Sequence, residues 1–425
     1  MSALSDHVAP KKITYRIFTP IRDFLSDSRA GGIILICCTL FSLILANLPA
    51  THSAYTAFWQ KALPSSIGFL HLPGTPLLWI NDVFMTFFFF LVGMEIKREL
   101  TIGELASVKK SLLPVLGALG GMVVPAIIFT IFNGHTSFRH GWGIPMATDI
   151  AFSLGVLSLL GKRVPVQLKI FLMALAIIDD LGAVITIGIF YTSSLNIVYL
   201  LCAFGILGGV ILLNRLKVIN PVYYIIPGVF LWYCMFNSGV HATLAGVMMA
   251  FSMPLNSMAK LEHLIHKPVN FIIMPLFALA NTAIGLPSDF SHSFSSTISL
   301  GIITGLVIGK PIGIFLFSYI ATKLKIASLP SHTNYTQLLG MGILGGIGFT
   351  MSIFTSTLAY QQDALQVISK VSIISGSVIA AIAGYSYCFR FKPVVQKPVI
   401  TVTLAEKELE PEKQYDQELN LEPAY

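Results

Sequence analysis

Two adjacent aspartates, Asp179 and Asp180, stand in the middle of an apolar run over residues 166–191, within the sequence LAIIDDLGAV (175–184). A run of that length is a membrane-span candidate, because the hydrocarbon core takes about 20 apolar residues. A carboxylate at its centre costs about 2.5–3.5 kcal/mol on insertion scales, so a pair marks a place where charge is wanted. Buried carboxylates can hold a hard cation, hold a proton, or pair with a buried base. Neighbours on a helix point about 100° apart. We therefore expect one aspartate to line a water-filled cavity and the other to meet a counter-charge elsewhere in the bundle.

Three other stretches supply groups that such a site needs. In GIPMATDIAFSLG (143–155), Pro145 and its flanking glycines weaken the helix where Thr148 and Asp149 sit. In GILGGIGFTMSIF (342–354), four glycines precede Thr350 and Ser352. Irregular backbone at membrane depth is tolerated only where it is buried in protein or lines a wet cavity. Two interrupted helices in corresponding parts of the two halves point to a transporter with inverted repeats and a site where the breaks cross. Close packing is the plainer reading of the glycines. Lys310 is the third group. It lies mid-span among Gly301, Gly305, Gly309 and Gly313, a strip on one helix face, with Pro311 freeing a carbonyl one turn back. About ten residues separate it from either end of its span, too far to snorkel, so it needs a carboxylate.

Composition sets the stage on which these groups act. Of 425 residues, 55% are hydrophobic and 11% charged, against about 25% charged in soluble domains. The chain reads as an all-α polytopic membrane protein with the lipid bilayer as its partner. The formal charge of +7 is spread over short loops, which speaks against a nucleic-acid partner. Cys37, Cys38, Cys202, Cys234 and Cys388 all lie in apolar runs with no CxxC spacing, so neither a disulfide, a structural metal nor a cofactor is expected.

Hydropathy places twelve spans near 30–48, 77–96, 112–132, 141–160, 166–191, 195–213, 222–236, 239–255, 268–285, 299–320, 336–358 and 367–389. The seventh and eighth share one apolar stretch broken at Asn237-Ser238-Gly239. With the N-terminus inside, 23 of the 27 Lys and Arg fall on the cytoplasmic side. Only Lys61, Arg139 and Lys370 fall outside, and Lys310 alone lies within a span. That asymmetry is the one the positive-inside rule expects, with both termini cytoplasmic. Residues 1–29 read as a cytoplasmic segment, 30–390 as the membrane domain and 391–425 as an acidic, disordered cytoplasmic tail. The outer loop 49–76 contains IGFLHLPGT (67–75), an alternating run ending in a Pro-Gly turn signal and fit for a small hairpin.

Charged residues near the inner ends form a separate group. Glu95, Lys97, Arg98 and Glu99 close the second span, and Glu262, His263 and His266 stand together in another cytoplasmic loop. Acids and histidines so gathered can respond to pH between 5 and 8, and a solvated surface with ion pairs is the alternative. Asp82, in WIND (79–82), fits an interfacial cap or a place in a cavity wall, and the cap is the expected role; His241 reads as a helix-end hydrogen bonder.

At these residues the sequence resembles the NhaA family of bacterial sodium/proton antiporters. The matching segments are WIND (79–82), FFFLVGMEIKREL (88–100), IPMATDIAFSLGVLSLLG (144–161), RVPVQLKIFLMALAIIDDLGA (163–183), SGVHATLAG (238–246), LEHLIHKP (261–268), LGIITGLVIGKPIGI (300–314) and GILGGIGFTMSIF (342–354). The resemblance implies export of Na+ or Li+ in exchange for H+, driven by the proton-motive force. It also implies electrogenic, pH-regulated transport in the inner membrane, serving pH and sodium homeostasis, by a homodimer and not by an enzyme. It places the cation and proton site, with Na+ as cargo, on Asp179, Asp180, Asp149 and Thr148. Lys310 is then the counter-charge of Asp179. The pH-responsive group is Glu95 and Glu262, with Arg98, Glu99, Lys260, His263 and His266 beside them, and the dimer hairpin falls at 67–75. The stretch before Leu261 is shorter than the family's, and the acidic tail is not part of its pattern.

A carboxylate taken out of water holds a proton more tightly, so one group can serve sodium and protons in turn. We expect Asp180 to be the direct cation ligand and Asp179 to trade a proton with Lys310. Other classes compete. An intramembrane aspartyl protease also needs aspartates on two spans, but its Gly-x-Gly-Asp signature does not occur here. A sodium-coupled symporter or a cation channel would use similar ligands and would differ in needing an organic solute or no proton.

Overall fold

A chain in hydrocarbon must satisfy its backbone within each segment, which leaves helices. The computed structural model describes residues 30–67, 70–192, 195–286, 294–331 and 333–392, and it is helical apart from one short hairpin. The predicted N-terminal segment 1–29 and the tail from 393 onward lie outside the described residues.

The helices in order are α1 (Ala30–Asn47), α2 (His52–Gln60), α3 (Pro76–Thr101), α4 (Val108–Asn133), α5 (Ile150–Leu159), α6 (Val166–Phe190), α7 (Ile197–Arg215) and α8 (Val222–Ser238). There follow α9 (Leu244–Ser252), α10 (Leu255–Asn281), α11 (Thr297–Lys323), α12 (Tyr335–Gly345), α13 (Phe349–Ala359) and α14 (Asp363–Phe389). A tight three-residue-per-turn helix, Arg139–Met146, runs ahead of α5. Nine helical segments among the described residues are long and apolar enough to cross a bilayer, and ten if the bent pair α12 and α13 counts as one. The predicted seventh and eighth spans fall short. They are α8, of 17 residues, and α9, of 9, where about 20 are needed to span. Gly239, at φ 85°, ends α8 in the left-handed conformation that glycine adopts without cost, so the break falls at the expected place.

Two packed cores divide the molecule. The larger draws on α4, the 139–146 helix, α5, α6 and α11 through α14, with Met85 and Phe89 of α3. The second is built mostly from α7, α8, α9 and α10, with Leu35 of α1 and Leu91 and Met94 of α3. Val92 and Ile96 of α3 pack on Ala174 and Ile177 of α6 and join the two. Within the larger core the glycine strip of α11 lies on α4. Gly313 meets Gly120 so closely that a Cβ on either would strike the other's carbonyl, the close backbone approach that small residues permit.

Three helices widen by one residue within the bilayer region, at Trp79–Phe84, Val269–Ile273 and Gly305–Gly309. After the last two come Met274-Pro275 and Lys310-Pro311. A proline lacks an N–H and crowds the carbonyl four residues back, and the wide turn relieves that crowding. The first has no proline. There the carbonyl of Asp82 accepts Trp232 Nε1 at 3.1 Å and Thr86 Oγ1 at 2.5 Å. The cap of α3 is Thr75 and not Asp82, its hydroxyl accepting from Leu78 N.

Three further expectations are corrected. The hairpin pairs Ser66 with His71 and Ile67 with Leu70, and bonds from Leu72 N to Ser65 O and from Leu63 N to Gly74 O, both 2.8 Å, extend it. The first strand thus begins before Ile67, and Pro73-Gly74 closes the open end and not the turn, since proline cannot donate to a ladder. Glu262, His263 and His266 lie on α10 and not in a loop. Lys370 lies within α14, 4% exposed, and not on an outer surface.

Candidate functional site

Helix α6 carries Asp179 and Asp180 through the larger core, and both are buried, at 0% and 1% exposure. Asp179 points toward α11, where the wide turn ends: Lys310 N bonds Gly305 O, five residues back, and the lysine side chain is wholly buried. Lys310 Nζ lies 2.7 Å from Asp179 Oδ2 and also donates to Thr148 Oγ1. Thr148 Oγ1 is 2.8 Å from Asp179 Oδ2 and 2.9 Å from Gly345 O. A hydroxyl has one proton to give. Thr148 therefore serves the carboxylate or the carbonyl, never both at once.

The two interrupted helices meet here. Residues 147–149 are extended between the 139–146 helix and α5, and 346–348 separate α12 from α13 at a bend of 46°. A helix end leaves backbone groups without partners, and each break supplies what the other lacks. The carbonyls at the end of α12 receive Ser153 Oγ (3.1 Å, Leu344), Thr148 Oγ1 (Gly345) and Asp149 N (2.7 Å, Ile347). Asp149 caps two helices with one carboxylate. Its Oδ1 accepts Phe152 N of α5 at 2.9 Å, and its Oδ2 accepts Thr350 N at 3.0 Å and Thr350 Oγ1 at 2.5 Å from α13.

Asp149, Asp179 and Lys310 thus have partners, whereas Asp180 stands apart. Asp180 Oδ1 and Asp179 Oδ1 are buried without a hydrogen-bond partner among the described residues. Asp180 lies in the electrostatic field of Asp179, Asp149, Lys310 and Glu95. With all four site groups ionised, three carboxylates against one ammonium leave two negative charges in excess in a buried core.

The charged group at the end of α3 is only partly assembled. Arg98 pairs with Glu262 of α10 and lies 3.7 Å from Glu99. Glu95 is within electrostatic reach of Glu262, Arg98 and Glu99. Lys260, His263 and His266 are exposed on α10 and make no ion pair among the described residues, and His266 has Asn270 Nδ2 at 3.2 Å from its ring. Lys97 joins α9 instead, donating to Phe251 O at 2.8 Å and to Met253 O at the end of that short helix. His241 bonds the carbonyl of Tyr191 at 2.8 Å, at the end of α6.

At the breaks the amino-acid pattern hid one side chain and one pairing. Ser153 lies one turn beyond Asp149 on the same face, a spacing that was visible. Thr350 was noted beside the glycines, but nothing local revealed that its partner lies 201 residues away.

A multi-pass helical membrane protein with paired and unpaired carboxylates held at two abutting helix breaks is built as a membrane transporter. The chain belongs to the Na+/H+ antiporter 1 family, whose model matches residues 22–388. It is 49% identical over 386 residues to Na(+)/H(+) antiporter NhaA 2 of Flavobacterium johnsoniae, covering 88% of this chain and 93% of that one. It is 50% identical over 372 residues to Na(+)/H(+) antiporter NhaA of Enterobacter sp. (strain 638), covering 85% and 95%. Identity to Na(+)/H(+) antiporter NhaA of Flavobacterium psychrophilum is 48% over 386 residues, covering 89% and 97%. The family is one of transporters and not of enzymes, and the aspartyl protease weighed above falls away with it.

Proposed function

We infer that this chain exports Na+ or Li+ in exchange for H+ across the bacterial inner membrane, drawing on the proton-motive force to maintain pH and sodium balance. The observation that carries this reading is a buried Asp180 oxygen, Oδ1, with no hydrogen-bond partner among the described residues, beside an Asp179 that is paired with Lys310. A site with two negative charges in excess is loaded either by one Na+ or by two protons. Hard cations take oxygen ligands. Asp180 supplies the free carboxylate, and Asp179, Thr148 and backbone carbonyls freed at the breaks complete the shell. Asp179 surrenders Lys310 when the cation enters, and a proton leaves from that pair. Asp149 holds the two breaks in register. Competition of this kind couples the two fluxes without a cofactor, provided that the empty charged site does not reorient. More than one proton per sodium moves net charge, and each charge is worth about 2.3 kcal/mol per 100 mV of membrane potential.

The same reading assigns twelve spans with both termini cytoplasmic. The seventh and eighth are the short α8 and α9, and the breaks before α5 and α13 cross as equivalents in two inverted repeats. The hairpin around Ser66–His71 joins two copies into a homodimer. Glu95, Arg98, Glu99 and Glu262 regulate transport by pH, with Lys260, His263 and His266 at their periphery.

Proton flux in everted vesicles on adding Na+ or Li+ between pH 6.5 and 9 tests the proposal. Wild type is expected to discharge an imposed pH gradient with no organic solute present, and Asp180→Asn to lose that response. Exchange at the wild-type rate by Asp180→Asn overturns the assignment of the ligand. A response that requires an organic solute makes the chain a symporter.

A further inference from the structure

The exchange mechanism above uses one buried lysine and leaves a second idle. Lys370 is 4% exposed, seven residues inside α14, with no carboxylate within ion-pair distance among the described residues. Asp363, two turns away at the exposed start of the same helix, lies within its electrostatic reach. An ionisable group inside a span is a functional site by default, because an unpaired charge there is costly.

Helix register sets polar side chains between this lysine and the helix breaks. Ser377 Oγ accepts from Phe349 N at 3.1 Å, which sets α14 level with the first turn of α13. The two helices are antiparallel, joined through residues 360–362. Lys370, two turns along the same stripe of α14, is therefore level with Ser356, two turns along α13. Ser352 lies one turn nearer the break on the Ser356 stripe, so close to Gly348 that a Cβ there would strike its hydroxyl. Both serines are 0% exposed, and Ser352 Oγ has no hydrogen-bond partner among the described residues. Thr350, two residues on toward the break, donates to Asp149. One helical turn is about 5.4 Å, the span of two hydrogen bonds through one water.

We propose that Lys370 is a proton-carrying residue on the route between the outer solution and the ion site. It takes a proton at the end where Asp363 stands and releases it along the Ser356 and Ser352 hydroxyls toward Asp149. The ammonium gives up one proton and becomes a neutral amine, and a proton from the outer solution restores it. The inference rests on the antiport reading and on its topology, which makes the start of α14 the outer end.

Substitution at position 370 separates a carrier from a structural charge. Arginine keeps the charge but does not deprotonate in proteins. Lys370→Met and Lys370→Arg are both expected to slow Na+-driven proton flux by about 100-fold with the KM for Na+ unchanged, and Lys370→His to recover part of the rate. A wild-type rate in Lys370→Arg or in Lys370→Met overturns the proposal. If these variants do not reach the membrane, Ser352→Cys in a chain whose five native cysteines are replaced by serine decides it. Labelling by a cationic thiol reagent from outside during turnover supports the route, and no labelling overturns it. A wild type that exchanges no sodium for protons refutes the antiport reading itself, which is a separate outcome.

Discussion

Two ion pairs in this protein use the same chemistry in opposite surroundings. Lys310–Asp179 has both side chains at 0% exposure, and the ammonium is shared with Thr148. Arg98–Glu262, at the end of α3, has side chains 42% and 15% exposed. Desolvation dominates the first: each ion is costly alone, and the pair persists because partners on three separate elements meet at one point. Solvent screening dominates the second, where exposed pairs contribute about 0.2–1 kcal/mol. Under the proposed exchange the buried pair is the one with something to lose when a cation or a proton arrives, whereas the surface pair is easily remade.

The sharpest way to break the contrast is to remove one buried partner. Lys310→Ala leaves Asp179 uncompensated and is expected to destabilise the purified protein by about 3–5 kcal/mol, measured as thermal unfolding in detergent. The double variant Lys310→Ala with Asp179→Ala should recover much of that loss, because no buried charge is then orphaned. Failure of the double variant to recover would mean that packing, and not charge, sets the cost.

The next effect lies at the breaks. Thr350→Val removes the hydroxyl that donates to Asp149 but leaves the backbone N–H in place. A bond to a charged group contributes about 1.5–3 kcal/mol, and unfolding should move by that amount. Ser153→Ala deletes a neutral bond to Leu344 O and is expected to cost about 0.5–1.5 kcal/mol. If Ser153→Ala proves the costlier of the two, Asp149 is not the anchor between the breaks.

Arg98→Ala is expected to matter least for stability. A change of at most about 1 kcal/mol should shrink further in high salt, since ions screen exposed charges within about 3 Å at 1 M. A larger, salt-independent loss would place that pair in the same class as Lys310–Asp179 and erase the distinction.

The amino-acid sequence by itself determined the material of this protein. Apolar length, scarcity of charge and basic asymmetry are sums over side chains, and the bilayer reads them locally. The same local character made Pro145, the 342–348 glycines and Pro311 legible as places where helices fail. It located α6 to within a residue of its observed end and put the break after α8 at Gly239. Pairing was different. That Lys310 meets Asp179 and not Asp180, that Thr350 reaches Asp149, and that Lys97 serves α9 all depend on which faces of distant helices come together. Depth also had to wait for the tertiary structure. Lys370 reads as an outer charge by its nearness to the end of an apolar run, and only the folded structure shows that it is buried. A side chain's cost is written in its chemistry, whereas its partner is set by the angle and register at which helices pack.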